Sequence, residues 1–187
     1  MPLCCTPRVE ALCARITGRR VSRFVADLGP CAAAAARKRV LVIGGAGSIG
    51  GATVLELAAL GPAAIAVVDP NENNLAELLR SVRSAETPFA GELSVQPLDA
   101  GSPVFRAWLE RQPPFDLVWS FAALKHVRSE RDPYSLARLL DVNLLLHHRL
   151  LGWCRQLGHG RDGVFLVSTD KAADPVSLMG ASKRAME

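Results

Sequence analysis

The sequence predicts an α/β fold built on a doubly wound parallel sheet. Three observations predict it: five short apolar runs alternate with helical patterns, glycine or proline separates most of them, and a glycine-rich loop directly follows the first run. The connections should be right-handed, and the expected strand order is 3-2-1-4-5. Ligands of such a sheet bind at its carboxyl edge, where the order reverses between strands one and four.

The predicted elements begin at Arg39 and continue to the end of the chain. Turn-forming residues separate them: Gly61-Pro62 ends the first helix and Pro113-Pro114 ends the third. The five strands are predicted at 39–43, 64–69, 93 to about 98, 115–122 and 163–168. The five helices are predicted at 48–60, 72–84, 103–111, 133–157 and from about 176 onward.

Residues 1–38 are predicted to form a separate, basic and partly helical N-terminal arm. Residues 1–39 contain eight basic and two acidic residues, whereas the remainder contains fourteen basic and sixteen acidic ones. A docking helix, the tail of an upstream domain and a loosely ordered extension all agree with the apolar spacing of the arm. Its basic residues are not interleaved with aromatic ones, so nucleic-acid binding is not expected.

The composition predicts a globular protein of the cytoplasm. Hydrophobic residues make up 49% of the chain and charged residues 21%, and no apolar run approaches the roughly 20 residues that span a bilayer. The five cysteines are odd in number and lack a paired C-x-x-C spacing, so neither a disulfide framework nor a zinc site is expected. His147 and His148 face different sides of a predicted helix and are not a metal-binding pair.

The glycine-rich loop predicts a dinucleotide site. A strand that ends at glycines and continues as a helix leaves backbone N–H groups at the helix start, and these favour a phosphate. The spacing fits both Gly45-x-Gly47-x-x-Gly50, the general dinucleotide pattern, and Gly44-x-x-Gly47-x-x-Gly50, a short-chain dehydrogenase variant. An ordinary glycine-rich turn is the alternative. The candidate cofactor-binding residues of this loop are Gly44, Gly47, Ser48, Ile49 and Gly50.

Carboxylates follow the second and third predicted strands. Asp69 lies nineteen residues after Gly50, where a carboxylate binds the adenosine ribose and repels a 2′-phosphate. NAD is therefore the expected cofactor of an NAD(P)-binding Rossmann-like domain over 39–187, with NADP as the alternative. Asp69 also fits a helix-entry aspartate held by a neighbouring asparagine. Asp99 is a candidate for contact with adenine, or an ordinary loop carboxylate.

Strand four leads into a segment with three kinds of candidate. Ala122 and Ala123 are small, as needed where the backbone passes beside a cofactor. Lys125 and His126 are candidates for substrate binding and otherwise solvated loop charges. Asn143 lies in an apolar helical run, where a buried amide is costly unless hydrogen-bonded. It is either a satisfied core amide or a brace for the active site, and it is the third candidate for substrate binding.

Polar residues gather after strand five, opposite the glycine loop. Thr169, Asp170 and Lys171 supply a hydroxyl, an acid and a base, whose pKa values a closed pocket can tune. Lys183 lies one helical turn after Met179, on the same face, and is expected to point at the nicotinamide ribose. An ordinary turn with an exposed ion pair is the alternative.

The sequence resembles the extended short-chain dehydrogenase/reductase superfamily. The resemblance rests on three segments, GGAGSIG, AALKHV and STDKAADPVSLMGASKR, together with Asn143. Within this superfamily, the sequence is similar to the polysaccharide-biosynthesis (CapD-like) nucleotide-sugar 4,6-dehydratases from about residue 39 to 187. The resemblance implies a UDP-N-acetylhexosamine substrate, a tightly held NAD(P) and a 4-keto-6-deoxy sugar product. A nucleotide-sugar epimerase and a non-catalytic dinucleotide-binding module are the alternatives.

The resemblance also implies roles for individual residues. Thr169 would orient the C4 oxygen of the sugar, Asp170 would be the acid for water loss, Lys171 the C5 base, and Lys183 the cofactor-binding lysine. Met179 stands where most of the superfamily has a tyrosine, as in one branch of these dehydratases. The C4 proton would then pass to Thr169, Asp170 or a bound water.

Family members continue beyond the last predicted helix. They carry further strands and a small domain that grips the nucleotide sugar, so we expect this chain to be C-terminally truncated and its substrate subdomain to be absent. A poorly folding remnant is therefore a further alternative. In the family the last helix commonly builds a dimer interface, which makes a homo-oligomer one expected assembly state.

Overall fold

The fold is described here from a computed structural model, which covers residues 33–85, 89–125 and 132–187. Nearly all of the predicted N-terminal arm lies outside these residues, and so does His126. Within the described ranges, the chain forms one parallel sheet with helices packed against it.

The five strands of the sheet follow the predicted order, and β1 has its predicted bounds, whereas β2 to β5 end earlier than predicted. They are β1 Arg39–Ile43, β2 Ala64–Val68, β3 Glu92–Gln96, β4 Leu117–Ser120 and β5 Gly163–Leu166. All neighbouring pairs are parallel, and the order is β3-β2-β1-β4-β5. Val40 of β1 lies opposite Ile65 of β2 and Leu117 of β4. The doubly wound fold and its strand order are confirmed.

The helices begin close to the predicted positions, because local capping residues define their first turns. They are α1 Ser48–Ala59, α2 Glu72–Arg83, α3 Pro103–Glu110, α4 Pro133–Leu140, α5 Leu146–Leu157 and α6 Leu178–Met186. The first turns of α2 and α3 are capped by the side chains of Asn71 and Ser102. No helix in the described ranges is long and apolar enough to cross a membrane.

One predicted helix differs from the structure in its interior. The expected continuous helix 133–157 is interrupted by a π-helical turn, Asp141–Leu145, between α4 and α5. A π-turn contains one extra residue per turn, and such turns occur frequently at functional sites. The apolar spacing continues through the interruption, so the sequence pattern alone does not reveal it.

The core lies on both faces of the central strands. On one face, Leu41 and Ile43 pack in a cluster with Phe105 and Phe115. On the other face, Val40 and Val42 pack with helices α1 and α2. Full burial of such a side chain contributes about 1.5–3 kcal/mol, so β1 anchors the fold and holds the following loop in place. β3 and β5 form the two edges of this sheet and are only partly buried.

Candidate functional site

Two adjoining cavities lie at the carboxyl edge of the sheet. The β2–β3 cavity has a volume of about 240 Å³, and residues at the ends of β2 and β3, including Asp69 and Asp99, line it. The β4–β5 cavity has a volume of about 440 Å³ and extends from the glycine loop to the residues after β5. Gly44 and Gly47 line both cavities. The two cavities therefore meet over the glycine loop, at the predicted reversal of strand order.

The space around a side chain added at each glycine of this loop differs between Gly44, Gly47 and Gly50. Gly44 has a φ of 70°, and a Cβ there would lie 2.8 Å from the Ala122 nitrogen. A Cβ on Gly50 would lie 2.3 Å from the Gly44 oxygen. At Gly47, the nearest atom to an added Cβ is the Gly44 oxygen at 3.4 Å, and the φ is −73°. Packing thus requires Gly44 and Gly50, whereas the missing side chain at Gly47 leaves space in the cavities that suits a phosphate.

The start of α1 is also open to a ligand. Side chains cap the first turns of α2, α3, α4 and α6, whereas the N-cap of α1 is Gly47, which provides no side-chain hydrogen bond. Ser48 and Ile49 begin this helix and line the β4–β5 cavity. The backbone N–H groups of a helix start and the helix dipole attract anions. The predicted loop residues therefore come together as a fitting pyrophosphate cradle.

Asp69 is fixed in the wall of the β2–β3 cavity. Its carboxylate accepts hydrogen bonds from the backbone N–H groups of Ala46, at 3.2 Å, and Asn71, at 2.9 Å. The residue is 8% exposed and faces the cavity. The bond from Asn71 agrees with a helix-entry aspartate, and the place of Asp69 in the cavity wall is compatible with the ribose contact, which stays a prediction.

Asp99 belongs to a chain of ion pairs that the sequence analysis missed. Its Oδ1 accepts from the Gly101 N–H at 2.8 Å and its Oδ2 from Arg138 Nη2 at 2.7 Å. Arg138 Nη1 also donates to Asp141 at 2.9 Å, and Arg149 donates to the other Asp141 oxygen at 2.8 Å. Burial opposes the charge on Asp99, but the Gly101 N–H and the Arg138 guanidinium hold its pKa below the ordinary value. In the sequence, the i,i+3 spacing of Arg138 and Asp141 is the local pattern that could have indicated this network of ion pairs.

The segment after β4 passes between the two cavities. Ala122 lines the β2–β3 cavity, Ala123 lines both, and Lys125 lines the β4–β5 cavity. The small side chains thus lie where the sequence analysis expected a cofactor to pass. Lys125 is exposed, as its substrate-binding and solvated interpretations both require.

Asn143 does not reach the cavities as a substrate ligand would. It is fully buried, and its Oδ1 accepts from the Leu124 N–H at 2.8 Å. Its Nδ2 donates to the Leu124 carbonyl at 3.0 Å and to the Ser182 hydroxyl at 3.1 Å. The substrate contact expected of Asn143 is therefore corrected: the side chain joins the π-turn to the segment after β4 and to helix α6.

The two adjacent histidines have different environments, as predicted. His147 is buried and bonds through Nε2 to the Ser120 hydroxyl at 3.1 Å, whereas His148 is exposed. Burial, followed by the nearby charge of Lys183, lowers the pKa of His147 to about 4. In the part of the chain that the structure describes, no group of three or more His, Cys, Asp or Glu residues could hold a metal ion.

The residues after β5 are only partly brought into the site. Thr169 and Lys171 line the β4–β5 cavity, whereas Asp170 is exposed and does not line it. The Thr169 hydroxyl donates to Asp170 at 2.9 Å, and the Lys171 N–H donates to the same oxygen at 3.0 Å. The Thr169 hydroxyl and the Lys171 N–H hold the pKa of Asp170 below its ordinary value.

Lys183 and Met179 form the floor of the β4–β5 cavity. Lys183 is 3% exposed, and its Nζ donates to the Val167 carbonyl at 2.9 Å. Burial lowers the pKa of Lys183 to about 8. Met179 is buried one turn earlier on α6 and also lines the cavity. The structure thus brings both predicted α6 residues together with Thr169, Lys171 and the glycine loop.

Comparison with known proteins agrees with this arrangement. The sequence profile of a family described as "Polysaccharide biosynthesis protein" matches residues 40–187. This chain belongs to that family. An uncharacterized membrane protein of Methanocaldococcus jannaschii is 34% identical over 148 residues, which make up 78% of this chain and 40% of that protein.

Solved structures with the same fold include nucleotide-sugar enzymes. Pen from Bacillus thuringiensis is 21% identical with a TM-score of 0.68, and the match covers 81% of this chain and 45% of that one. A UDP-glucose-4-epimerase from Stenotrophomonas maltophila, with bound NAD and formylated UDP-arabinopyranose, is 23% identical with a TM-score of 0.63. That match covers 79% of this chain and 46% of the epimerase. The chain spans less than half the length of these relatives.

Proposed function

We propose that this chain binds a nicotinamide dinucleotide and is a nucleotide-sugar 4,6-dehydratase of polysaccharide biosynthesis, or the cofactor-binding half of one. The substrate would be a UDP-linked N-acetylhexosamine and the product a 4-keto-6-deoxy sugar. One observation carries the proposal: the β4–β5 cavity joins the glycine loop to Thr169, Lys171, Met179 and Lys183. The polysaccharide-biosynthesis family and the NAD and UDP-sugar bound to the similarly folded epimerase support it.

Each cavity would hold a different part of the dinucleotide. The pyrophosphate would lie on the N–H groups of Ser48, Ile49 and Gly50, and the adenosine would enter the β2–β3 cavity. The Asp69 carboxylate there favours NAD over NADP, because it accepts from ribose hydroxyls and repels a 2′-phosphate. The nicotinamide would lie in the β4–β5 cavity, with Lys183 beside its ribose.

The cavity residues would provide the acid and base steps of the reaction. When bound, the nicotinamide would supply reversible hydride transfer, in which the hydride leaves sugar C4 and is returned at C6. Thr169 would orient the C4 oxygen, and Lys171 would remove the C5 proton that the C4 ketone acidifies. Met179 has no ionisable group, so Thr169, Asp170 or a bound water would take the C4 proton.

Asp170 needs a different environment to act as the acid for water loss. An acid must keep its proton near neutral pH, whereas Asp170 is exposed and its pKa is held below the ordinary range. A segment that covers the edge beside β5 would exclude water and raise this pKa. The relatives are more than twice as long as the matched region, so we expect their additional residues to supply such a cover.

Exchange of the sugar protons tests the proposed reaction. The purified chain is incubated in D₂O with NAD⁺ and UDP-N-acetylglucosamine, and the products are analysed by mass spectrometry and NMR. We expect deuterium at C5, lost in Lys171→Met, and only slow formation of the 4-keto-6-deoxy sugar, because Asp170 is exposed to solvent. Lys38→Met removes the same charge far from the cavities, at an exposed ion pair with Asp162, and should behave as the unmodified chain does.

The same experiment separates the alternatives. Bound NAD⁺ without exchange at C5 would contradict a dehydratase reaction by this chain alone and leave a cofactor-binding half or a non-catalytic dinucleotide-binding module. A C4 epimer without deuterium at C5 would favour an epimerase, the activity named for the Stenotrophomonas structure. The cytoplasmic location, the amino-sugar substrate and homo-oligomerisation remain predictions.

A further inference from the structure

The wall of the β2–β3 cavity includes the guanidinium of Arg138, whose edge already donates hydrogen bonds to two carboxylates. Arg138 comes from α4, and its two terminal nitrogens donate to Asp99 and Asp141. The five N–H groups of a guanidinium lie in its plane, so these two bonds lie at its edge and leave its faces uncovered. The flat, cationic face of Arg138 is thus available to a ligand.

The surroundings of Arg138 do not suit an anion. Asp99 and Asp141 both pair with it, and Arg149 also pairs with Asp141, so the positive charge is already balanced. Asp69 adds a further carboxylate to the cavity wall. A phosphate group would therefore meet more negative than unpaired positive charge in this cavity.

The other lining residues suit a flat heteroaromatic base. Pro70 and Leu98 provide apolar surface, and Asp99 provides a carboxylate that the Gly101 N–H and Arg138 hold in one orientation. Apolar walls, a flat cation and a fixed acceptor together match a base that carries N–H donors.

We propose that Arg138 is a binding residue for the adenine base. Its guanidinium stacks on the base, and its hydrogen bond to Asp99 orients that carboxylate toward the edge of the base. The inference rests on the proposed function, because it requires the adenosine half of the dinucleotide to occupy the β2–β3 cavity. It adds a base-recognition residue from α4 to a pocket otherwise formed by the ends of β1 to β4, the loops after them, and Val142 and Leu146.

Calorimetric titration of the full chain with ADP and with inorganic pyrophosphate tests this assignment. Both probes use the phosphate cradle, but only ADP carries the base. For Arg138→Met we expect ADP binding to weaken about fivefold to twentyfold, because stacking on a cation is lost. Pyrophosphate binding should change by less than about twofold, since its site is on the glycine loop. Arg138→Lys restores the charge without the flat face, so ADP binding should stay weakened severalfold.

Arg106→Met is the matched control, because Arg106 is exposed, pairs with Glu110 at 3.0 Å and lines neither cavity. It should leave ADP binding unchanged. Unchanged ADP binding in Arg138→Met, an equal loss for ADP and pyrophosphate, or full recovery in Arg138→Lys would each overturn the assignment. If the unmodified chain bound neither ADP nor NAD⁺, the proposed cofactor site itself would fail, which is a different result from an insensitive Arg138.

Discussion

The β2–β3 and β4–β5 cavities differ in how firmly their polar groups are held. In the β2–β3 cavity, both Asp69 oxygens accept from backbone N–H groups, and Asp99 is held by Gly101 and Arg138. After β5, Thr169, Asp170 and Lys171 bond mainly to one another, and Asp170 is exposed. Lys183 is the buried and anchored exception at that end.

This difference matters because binding a ligand and acid–base chemistry need different environments. Fixed groups bind a ligand without having to be ordered first, so the β2–β3 cavity and the glycine loop are preorganised. Acid and base groups instead need a low-dielectric environment to shift their pKa values toward neutrality. The residues of the proposed dinucleotide cradle are therefore already held in place, whereas the acid proposed for water loss is exposed to solvent.

The largest expected effect distinguishes two glycines of the shared loop. In Gly50→Ala, the new Cβ would lie 2.3 Å from the Gly44 oxygen, so the loop must move, and we expect to lose more than about 3 kcal/mol of unfolding free energy. In Gly47→Ala, the nearest atom is at 3.4 Å, so the loss should stay below about 1 kcal/mol. NAD⁺ affinity should still fall at least about tenfold in Gly47→Ala, because the methyl group occupies the phosphate space.

Urea unfolding followed by circular dichroism measures the first effect, and calorimetric titration with NAD⁺ measures the second. Gly152 of α5 is the matched control, because nothing lies within 4 Å of a Cβ added there. Gly152→Ala should raise the unfolding free energy by about 0.5–1 kcal/mol, because alanine favours a helix interior, and should retain the affinity. Gly47→Ala with normal NAD⁺ affinity would contradict the cradle.

The buried Lys183 predicts a pH-dependent stability. Its pKa falls from 10.5 to about 8 on folding because burial disfavours its charge. The unfolded chain then binds more protons at this residue between the two values, so the contribution of Lys183 to stability should rise as the pH increases from about 8 to 10.5, by about 3 kcal/mol. Lys183→Met removes this slope and should be more stable than the unmodified chain at pH 7, by about 1–2 kcal/mol after loss of the bond to Val167.

Urea midpoints at pH 7, 8, 9 and 10 measure this slope. Arg184→Met is the control, because Arg184 is the exposed neighbour on α6, and its variant should keep the slope of the unmodified chain. An identical slope in Lys183→Met would mean that Lys183 is not buried as described.

The hydrogen bonds of Asn143, which join the π-turn to the segment after β4 and to α6, give the smallest of the expected effects. Asn143→Leu keeps a similar shape but leaves the Leu124 N–H and carbonyl without their partner, so we expect a loss of about 2 kcal/mol in unfolding free energy. Asn73 is exposed on α2, and Asn73→Leu should change stability by less than about 0.5 kcal/mol. Equal urea midpoints for the two variants would contradict the bracing role.

The fold could be predicted from sequence because its signals are local. The apolar run of β1, its glycine loop and the capping residues Asn71 and Ser102 each act within a few residues. The π-turn at Asp141–Leu145 was missed because it preserves the apolar spacing of a regular helix. The ends of β4 and β5 were overestimated because apolar residues, Phe121 and Val167, directly follow the last strand residues.

The site was only partly predictable, since several of its contacts join distant residues. Arg138 and Asp99 are separated by 39 residues, and Asn143 and Ser182 by the same distance. The apolar run around Asn143 indicated that its amide must be hydrogen-bonded, but left open whether it is a core amide or a brace for the active site. The exposure of Asp170 likewise depends on what packs against β5, which no local signal reports.

Titration of NADH fluorescence with the purified chain tests the central claim most directly. If the cradle holds the dinucleotide as proposed, the emission should shift to the blue and saturate at one NADH per chain, and excess NAD⁺ should reverse the change. Gly47→Ala should require at least about tenfold more protein for the same signal. An NADH emission that stays unchanged at saturating protein concentrations, from a chain with a cooperative unfolding transition, would contradict the claim.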